Sequence, residues 1–513
     1  GTTATHVGLK ERFIYNSKRD VNEVDIREGR GWMVNSQQSS MEASQEQPEQ
    51  EQPELQSTIA HRLATYAVRL ATTDIPTATR HNAARCILDW YAGTIAGGVL
   101  PPATLLARAL TTPGSGSASL LPSGQMIDAR TAALINGAAS HTVEVDDIYS
   151  PGLYHPGSPV ISAAVAVAEA EGATGAELIT AVIAGYEVSN RIARTVNPAH
   201  YTYWHTTATV GHFGAVVAAG LLLKLDANQL AHGLTTVTSF AAGLRHAFAS
   251  DAMGKAFHVG RAAEAGVLGA LAARHGVTGV PDMLEGERGF DKAMSRDVNW
   301  DEAFADLDGT YTIDMTTQKA HACCGHTFAA IDATQDIVKS QGLKPADIKA
   351  IKVGTYRAGV EICANKDPKT PYEAKFSLPY TVALAALDKR TGPASFSEDR
   401  LQAVEQREMM AKVAYYLDER CESVFPKLRS AYVDIETVDG RSFSQHQPSR
   451  RGDPADPLSD EMLSEKFEGL VAPVIGEERS KALLNLLWSL DGIKDVSQIK
   501  AHAAVGRHAQ AAE

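Results

Sequence analysis

Hydrophobic residues from Thr58 onward recur at the three-to-four-residue spacing of an amphipathic α-helix. They occupy positions 59, 63, 66, 67 and 70 before Pro76, and positions 84, 87, 88, 91 and 95 before Gly97. Residues at this spacing share one helix face, so each segment predicts a helix with one buried side. Further helices rich in Ala and Gly, which let backbones approach closely, are predicted at residues 161–171, 175–196, 205–225 and 260–275.

The pattern changes near Thr310. Residues 348–356 alternate apolar and polar side chains as a half-buried strand does, and residues 311–313 alternate more briefly. Residues 431–438 and 441–444 flank Asp439-Gly440, a dipeptide typical of a hairpin turn. Helices are predicted beside these strands at residues 327–341 and 377–389. This region therefore predicts an α+β insert.

Helical spacing returns after the Pro-rich stretch at residues 452–457, so we expect the last helices to rejoin the first ones. The predicted fold is mostly α, with a discontinuous all-helical domain and a smaller α+β lid domain. Residues 42–54 form a Gln/Glu/Pro tract that cannot bury enough apolar surface to fold. The predicted boundaries are 1–57 for a disordered or vector-derived N-terminal extension, 58–317 for the first helical part, 318–453 for the lid, and 454–513 for the returning helices.

Charge and composition narrow the class of protein. The 48 Lys and Arg residues face 61 Asp and Glu residues, and this net charge of −13 disfavours nucleic-acid binding. Five scattered cysteines give no disulfide framework and favour a reducing compartment. No apolar stretch approaches the roughly 20 residues that a membrane span needs, and no leader pattern opens the chain. We therefore expect a cytoplasmic protein without nucleic-acid or membrane partners.

The richest group of polar residues lies between positions 141 and 155. His141, Glu144, Asp146, Asp147 and His155 span a helix end and a Pro/Gly loop, which can point a histidine into a cleft. The acids can equally cap a helix end, with a histidine in a turn. His and carboxylate groups can also bind divalent ions, but no motif spacing supports a metal site, so we expect no metal.

Two further groups follow. His205 opens a helix, where the helix dipole disfavours its cationic form and keeps it available as a base; it can also simply cap the helix. Lys255, His258 and Arg261 lie among small apolar residues, where a cation needs an anionic partner or an escape to solvent. That partner is either a substrate carboxylate or an internal Glu.

The last candidates lie at and beyond the start of the predicted lid. Lys319 precedes Cys323 and Cys324, for which no nucleophile signature is present. Tyr380 begins a predicted helix and can hydrogen-bond a ligand or pack in the core. The chain also lacks the phosphate-binding and nucleophile-elbow glycine motifs. The remaining interpretation is cofactor-free acid–base chemistry by His and Lys on an anionic small molecule.

Five motifs in this order resemble the MmgE/PrpD family over residues 58–505. They are His141-x-x-Glu-x-Asp-Asp147, His155-Pro-Gly-Ser158, Trp204-His205 with Gly211-x-x-Gly-Ala215, Gly254-Lys-Ala-Phe-His-Val-Gly-Arg261, and Lys319-x-x-x-Cys-Cys-Gly-His326. The resemblance implies a helical domain with an α+β lid, an active site in the cleft between them, a homodimer, and no metal or organic cofactor.

The resemblance also implies roles for single residues. His155 and His205 match the active-site histidines, Lys255 and Lys319 the carboxylate-binding lysines, and Tyr380 a lid tyrosine. We thus expect catalysis by His155, His205, Lys255 and Tyr380, and substrate binding by Glu144, Asp146, Asp147, His258 and Lys319. The chain departs from animal decarboxylases of the family at Ile148, where they have Thr, and its loop before His155 is one residue longer.

These roles predict a cofactor-independent lyase for a citrate-like polycarboxylate, with 2-methylcitrate dehydratase as the nearest activity. The intermediate is a carbanion stabilised by nearby cations. Alternatives within the family are a cis-aconitate decarboxylase and an epimerase of an iminodisuccinate-like dicarboxylate. A non-catalytic polycarboxylate-binding protein is the alternative outside enzymes.

Overall fold

A computed structural model describes residues 53–250, 252–307, 309–387 and 391–505. Most of the predicted N-terminal extension thus lies outside the described residues, which begin just before a single 3₁₀ turn at Leu55–Ser57. No helix within these ranges is long and apolar enough to cross a membrane.

The first part of the chain is a bundle of helices, as its hydrophobic spacing predicts. Thr58 caps the first helix by accepting a hydrogen bond from the His61 amide. The helices are α1 (Ile59–Leu70), α2 (Thr77–Gly98), α3 (Ala103–Leu110), α4 (Ala129–Thr142), α5 (Gly157–Glu171), α6 (Gly175–Val196), α7 (Thr206–Thr209), α8 (Gly211–Leu222), α9 (Ala227–Thr238), α10 (Gly254–Arg274), α11 (Phe290–Met294) and α12 (Asp301–Phe304).

Small residues hold the central helices close together. α10 packs against α4 and α8. At Gly260 an added Cβ would overlap the Leu134 carbonyl oxygen of α4, and at Gly266 it would overlap Ala215 of α8. Only glycine permits this approach, which carries the first turns of α10 to the C-terminal end of α4.

The α+β part contains a four-stranded sheet covered by helices. Its strand order is β4-β3-β5-β6, with β4 parallel to β3 and the other pairs antiparallel. The strands are β3 (Ile348–Thr355), β4 (Val413–Leu417), β5 (Ala431–Thr437) and β6 (Ser442–Gln447). The helices are α13 (Phe328–Gln341), α14 (Arg357–Ile362), α15 (Pro371–Lys375), α16 (Leu378–Leu387), α17 (Glu398–Gln402), α18 (Val404–Ala411) and α19 (Glu419–Glu422).

The chain then returns to the helical part through α20 (Asp460–Ile475), α21 (Glu477–Trp488) and α22 (Lys500–Ala503). α20 packs against α2, where Arg85 forms an ion pair with Asp460 and Lys466 Nζ lies 2.6 Å from Asp89 Oδ1. The fold is therefore mostly α, with a discontinuous helical part and a smaller α+β part. The residue boundaries between these parts stay a proposal.

Local structure differs from the sequence prediction at four places. The helical part also holds a short hairpin, β1 (Ala118–Leu120) with β2 (Gln125–Ile127), which the hydrophobic spacing did not predict. The helix predicted at 205–225 is divided at Val210 into α7 and α8. Residues 312–315 form a 3₁₀ turn rather than a strand. β4 was missed because its short alternation directly follows α18.

Candidate active site

The segment after α4 bends sharply and aims Glu144 inward. Glu144 has φ +60°, a left-handed conformation that non-glycine residues rarely adopt. Four residues later Ile148 pairs with Thr317 through two backbone hydrogen bonds of 2.9 and 2.8 Å. This pairing brings Lys319, at the start of the α+β part, beside the end of α4. The site is thus assembled from distant parts of the chain.

Two lysines share the Glu144 carboxylate. Lys255, in the first turn of α10, forms an ion pair with Glu144 Oε1, and Lys319 Nζ lies 3.2 Å from Oε2. Lys319 Nζ also lies 3.7 Å from Asp146 Oδ1. Burial opposes the charged form of Glu144, but the two ammonium groups hold its pKa well below the usual range. Burial by itself would lower the pKa of Lys255, but the negative charges of Glu144 and Asp146 outweigh this effect, so the pKa is raised.

Four histidines lie beside this Lys255–Glu144–Lys319 cluster. The ring centre of His141 is 5.1 Å from that of His155 and 5.8 Å from that of His205. His205 Nδ1 is 3.4 Å from His258 Nδ1. Burial lowers the pKa of His141 to about 4, despite Asp146 nearby, and lowers that of His205 well below its usual range. These two rings are therefore neutral at neutral pH.

Hydrogen bonds fix the tautomers of two of these rings. His155 Nδ1 lies 2.7 Å from the Asp147 carbonyl oxygen, which only accepts, so Nδ1 carries the hydrogen. His141 Nδ1 donates in the same way to Asp146 Oδ2 at 2.6 Å. With the hydrogen on Nδ1, Nε2 is the nitrogen of each ring that can accept a proton. His155 is the more accessible of the two, with a side-chain exposure of 19%.

Asp147 holds the loop that carries His155. Its Oδ1 accepts from the Gly157 amide at 2.9 Å and its Oδ2 from the Tyr186 hydroxyl at 2.7 Å. Burial raises the pKa of Asp147 to about 7, although both hydrogen bonds oppose this. The structure thus gives Asp147 protein partners at both oxygens, and its predicted contact with substrate stays a prediction.

Tyr380 lies inside the α+β part. Its side chain is buried, its hydroxyl donates to the Ser395 carbonyl oxygen at 2.8 Å, and its ring centre is 5.7 Å from that of Phe396. Apart from Tyr380, the structure brings the predicted site residues together in one cluster: Glu144, Asp146, Asp147, His155, His205, Lys255, His258 and Lys319. The role of Tyr380 as a ligand contact stays a prediction.

Sequence reasoning assigned no role to two residues of the site. His141 was noted only as a neighbour of the acids, yet it is buried and bonded to Asp146. Lys375, at the end of α15, interacts electrostatically with Glu144, Lys255 and Lys319. No sequence pattern marks Lys375 as a site residue, because it approaches Glu144, Lys255 and Lys319 only in the folded chain.

The imidazoles of His141 and His155 and the carboxylate of Asp146 also have the chemistry of a metal site. Atoms of these three residues that could bind an ion lie within 4.8 Å of one another. However, Asp146 accepts from His141 and lies beside the Lys319 ammonium, which already balances its charge. The expectation of no metal stays a prediction.

A surface cavity of about 500 Å³ adjoins the histidines. It is lined by Tyr203, Leu244, Arg245, His246 and Phe248, among others. The Phe248 ring packs edge-on against His205, with centres 4.8 Å apart. Phe248 therefore lies between this cavity and His205, while the chemistry of the site rests on the lysine cations and neutral histidine bases described above.

Comparison with known proteins agrees with this chemistry. The MmgE/PrpD N-terminal domain matches residues 61–303, and the MmgE/PrpD C-terminal domain matches residues 321–491. A cis-aconitate decarboxylase from Aspergillus terreus is 27% identical, over 86% of this chain and 95% of its own length. Cis-aconitate decarboxylases from Homo sapiens and Mus musculus are each 26% identical, over 71% of this chain and 77% and 76% of their own lengths.

The fold and the site, with these relatives, define an enzyme of the lyase class, either a decarboxylase or a dehydratase. The chain belongs to the MmgE/PrpD family, which confirms the resemblance seen in its motifs. The relatives carry the name of a decarboxylase, while 2-methylcitrate dehydratase, expected as the nearest activity, stays a prediction.

Proposed function

We propose that this chain is a cofactor-independent decarboxylase of an unsaturated tricarboxylate such as cis-aconitate. The observation that carries the proposal is the Lys255–Glu144–Lys319 cluster beside neutral histidines. The relatives named cis-aconitate decarboxylase support this choice over the other family activities.

The lysines bind the substrate and stabilise charge. A carboxylate that enters the cluster meets two ammonium groups that Glu144 holds close together. Both groups have little exposed surface, with side-chain exposures of 17% and 3%, so their attraction is weakly screened. Negative charge that develops on the substrate is stabilised by the same cations.

The reaction follows from the position of the double bond. In cis-aconitate the carboxylate on the CH₂ carbon is β,γ-unsaturated, so loss of its CO₂ leaves an allylic carbanion whose charge spreads onto the carboxylate of the former CH= carbon. The electrons of the broken carbon–carbon bond form a new methylene double bond. The carbon that was the CH= carbon of the original double bond then takes one proton, which gives a methylene-substituted dicarboxylate.

His155 is the proposed proton donor. The Asp147 carbonyl oxygen fixes Nδ1–H, so Nε2 is the nitrogen that takes up a proton from solvent and passes it to the substrate. His205, which is buried and neutral, is proposed to orient the substrate, and its Nδ1 lies 3.4 Å from Nδ1 of His258. Tyr380 stays proposed as a ligand contact from the α+β part.

2-Methylcitrate dehydration is the second candidate. Ile148, which is half-buried, follows Asp147 directly and places an apolar side chain where animal relatives have Thr. An apolar side chain favours a substrate with an additional methyl group. In that reaction a histidine base would remove a proton from the carbon beside a carboxylate, and the resulting carbanion would expel the hydroxyl group, so that water is lost overall.

Proton NMR in D₂O distinguishes these activities. We expect the purified protein to convert cis-aconitate and to leave 2-methylcitrate, citrate and iminodisuccinate unchanged. Lys255→Met should abolish conversion because it removes one ammonium group of the cluster, whereas the exposed-lysine control Lys224→Met should retain it. Turnover of 2-methylcitrate alone would reject decarboxylation in favour of the second candidate.

We also propose a homodimer in the cytosol. Tyr203, Leu244 and Met253 are exposed by 64%, 57% and 46%, which suits burial against a second copy. All five cysteines lie in the described ranges and are free there, which suits a reducing compartment. Light scattering of the purified protein tests the first proposal, and fractionation of the source cells tests the second.

A further inference from the structure

Lys375 is held firmly at the end of α15. Thr370 caps this helix by accepting from the Glu373 amide, and Pro371 occupies its first turn. The Lys375 carbonyl oxygen accepts from the Cys324 amide at 2.9 Å, five residues after Lys319. The backbone of Lys375 is therefore fixed relative to the chain segment that carries Lys319.

The Lys375 ammonium lies in the field of the same cluster. It interacts with Glu144, Lys255 and Lys319, and the side chain is mostly withdrawn from solvent. Burial lowers the pKa of Lys375; attraction to Glu144 opposes this shift, and repulsion from Lys255 and Lys319 adds to it. A carboxylate with two closer ammonium partners cannot balance a third.

Charges around Lys375 do not cancel. Within the described residues, Lys375 forms no ion pair of its own, whereas Lys255 and Lys319 are both paired with Glu144. The histidines His141 and His205 are neutral, and Asp146 is already hydrogen-bonded to His141. A largely buried cation without an anionic partner is costly, so this side of the cluster favours an incoming anion.

We propose that Lys375 is a third carboxylate-binding residue that makes the site selective for tricarboxylates over dicarboxylates. The inference rests on the proposed function, because it takes the Lys255–Glu144–Lys319 cluster as the place where substrate binds. Lys255 and Lys319 hold two carboxylates, and Lys375 pairs with the third. A dicarboxylate leaves this third ammonium unpaired and so binds less tightly.

Calorimetric titration with two non-reacting ligands tests this selectivity. Propane-1,2,3-tricarboxylate carries three carboxylates, and glutarate has the same carbon backbone without the central one. In the Lys375→Met variant we expect Kd for the tricarboxylate to rise about thirtyfold or more, and Kd for glutarate to change by less than about threefold. Lys375→Arg, which keeps the charge, should restore most of the tricarboxylate affinity.

The control is Lys369→Met, an exposed lysine just before the same helix that is paired with Asp367. It should leave both affinities unchanged. Equal weakening of both ligands by Lys375→Met, or no weakening of either, would overturn the proposal. Should Lys375→Met unfold the protein, Lys375→Gln is titrated in its place, with the melting temperature as the check.

This experiment separates the two proposals. Binding is measured without turnover, so a wild-type protein that fails to convert cis-aconitate refutes the decarboxylase proposal alone. A wild-type protein that converts cis-aconitate but binds both ligands alike, with and without Lys375, refutes only the role of Lys375.

Discussion

At the scale of single residues, the role of each side chain depends on which of its atoms already form hydrogen bonds or ion pairs within the protein. The Asp147 carbonyl oxygen fixes the hydrogen of His155 on Nδ1 and leaves Nε2 for substrate. Glu144 is used to hold two lysines rather than to act as a base, since its pKa lies well below the usual range. The acid–base work therefore falls to the histidines.

Replacing His155 tests this division of roles. We expect His155→Gln to lower kcat by about 10²–10⁴-fold, because the proton donor is lost. The melting temperature should change little, since the side chain is partly exposed. The control is His275→Gln, at an exposed position after α10. A variant that keeps wild-type kcat would exclude His155 as the proton donor.

Asp147 should make stability depend on pH. Its pKa is raised to about 7 in the folded chain, above the value of about 3.9 expected when unfolded. The folded state thus binds more protons between these values, and the free energy of unfolding falls as pH rises through that window. The difference in the free energy of unfolding between Asp147→Asn and the wild type should therefore shift by about 2–3 kcal/mol in favour of the variant as the pH is raised from 5 to 8.

Urea unfolding at the two pH values measures this difference. Asp491→Asn, which changes an exposed partner of Arg80, is the surface control. A gain that is the same at both pH values would show that the carboxyl group of Asp147 is not the cause.

At the scale of elements, hydrophobic spacing predicted the regular helices but not the conformation of the segments that connect them. α6 begins and ends where the spacing indicates, because its capping box joins Thr174 and Glu177 at the start. The bend at Glu144 could not be predicted, since no local rule places a glutamate in a left-handed conformation. The pairing of Ile148 with Thr317 likewise depends on contacts between distant segments.

The close approach of α10 and α4 should control both stability and activity. In Gly260→Ala the new Cβ overlaps the Leu134 carbonyl oxygen, so α10 must shift and carry Lys255 away from Glu144. We expect a loss of about 1–3 kcal/mol in the free energy of unfolding, together with a higher KM. Gly492→Ala, which meets no atom within 4 Å, is the matched control. Unchanged stability would show that this contact is not tight.

At the scale of the whole molecule, the site depends on chain segments from both parts. The sequence predicted the mostly α fold and most of the clustered residues, because their motifs lie on local helix ends. It could not predict Lys375, since its neighbours in the site are about 55 or more residues away in sequence. Nor could it predict that the returning helix α20 supports the segment beside Glu144.

Lys466 provides that support. Its ammonium pairs with Asp89 of α2 and donates to the Val145 carbonyl oxygen at 2.9 Å. We expect Lys466→Met to lower the free energy of unfolding by about 3 kcal/mol, because Asp89 is left buried without its cation. Chemical denaturation measures this loss, with the exposed residue in Lys481→Met as control. Equal stability of the two variants would contradict a structural role for this pair.

The most direct test of the account is the fate of cis-aconitate after the protein has been treated with EDTA. The reaction is followed in D₂O by NMR, with the carboxylates labelled with ¹³C. The account predicts labelled CO₂ or bicarbonate and a methylene-substituted dicarboxylate carrying one deuteron, at a rate that EDTA does not lower. Release of no CO₂ by folded protein, or activity that EDTA abolishes and a divalent metal restores, would contradict a metal-independent decarboxylase built on lysine and histidine.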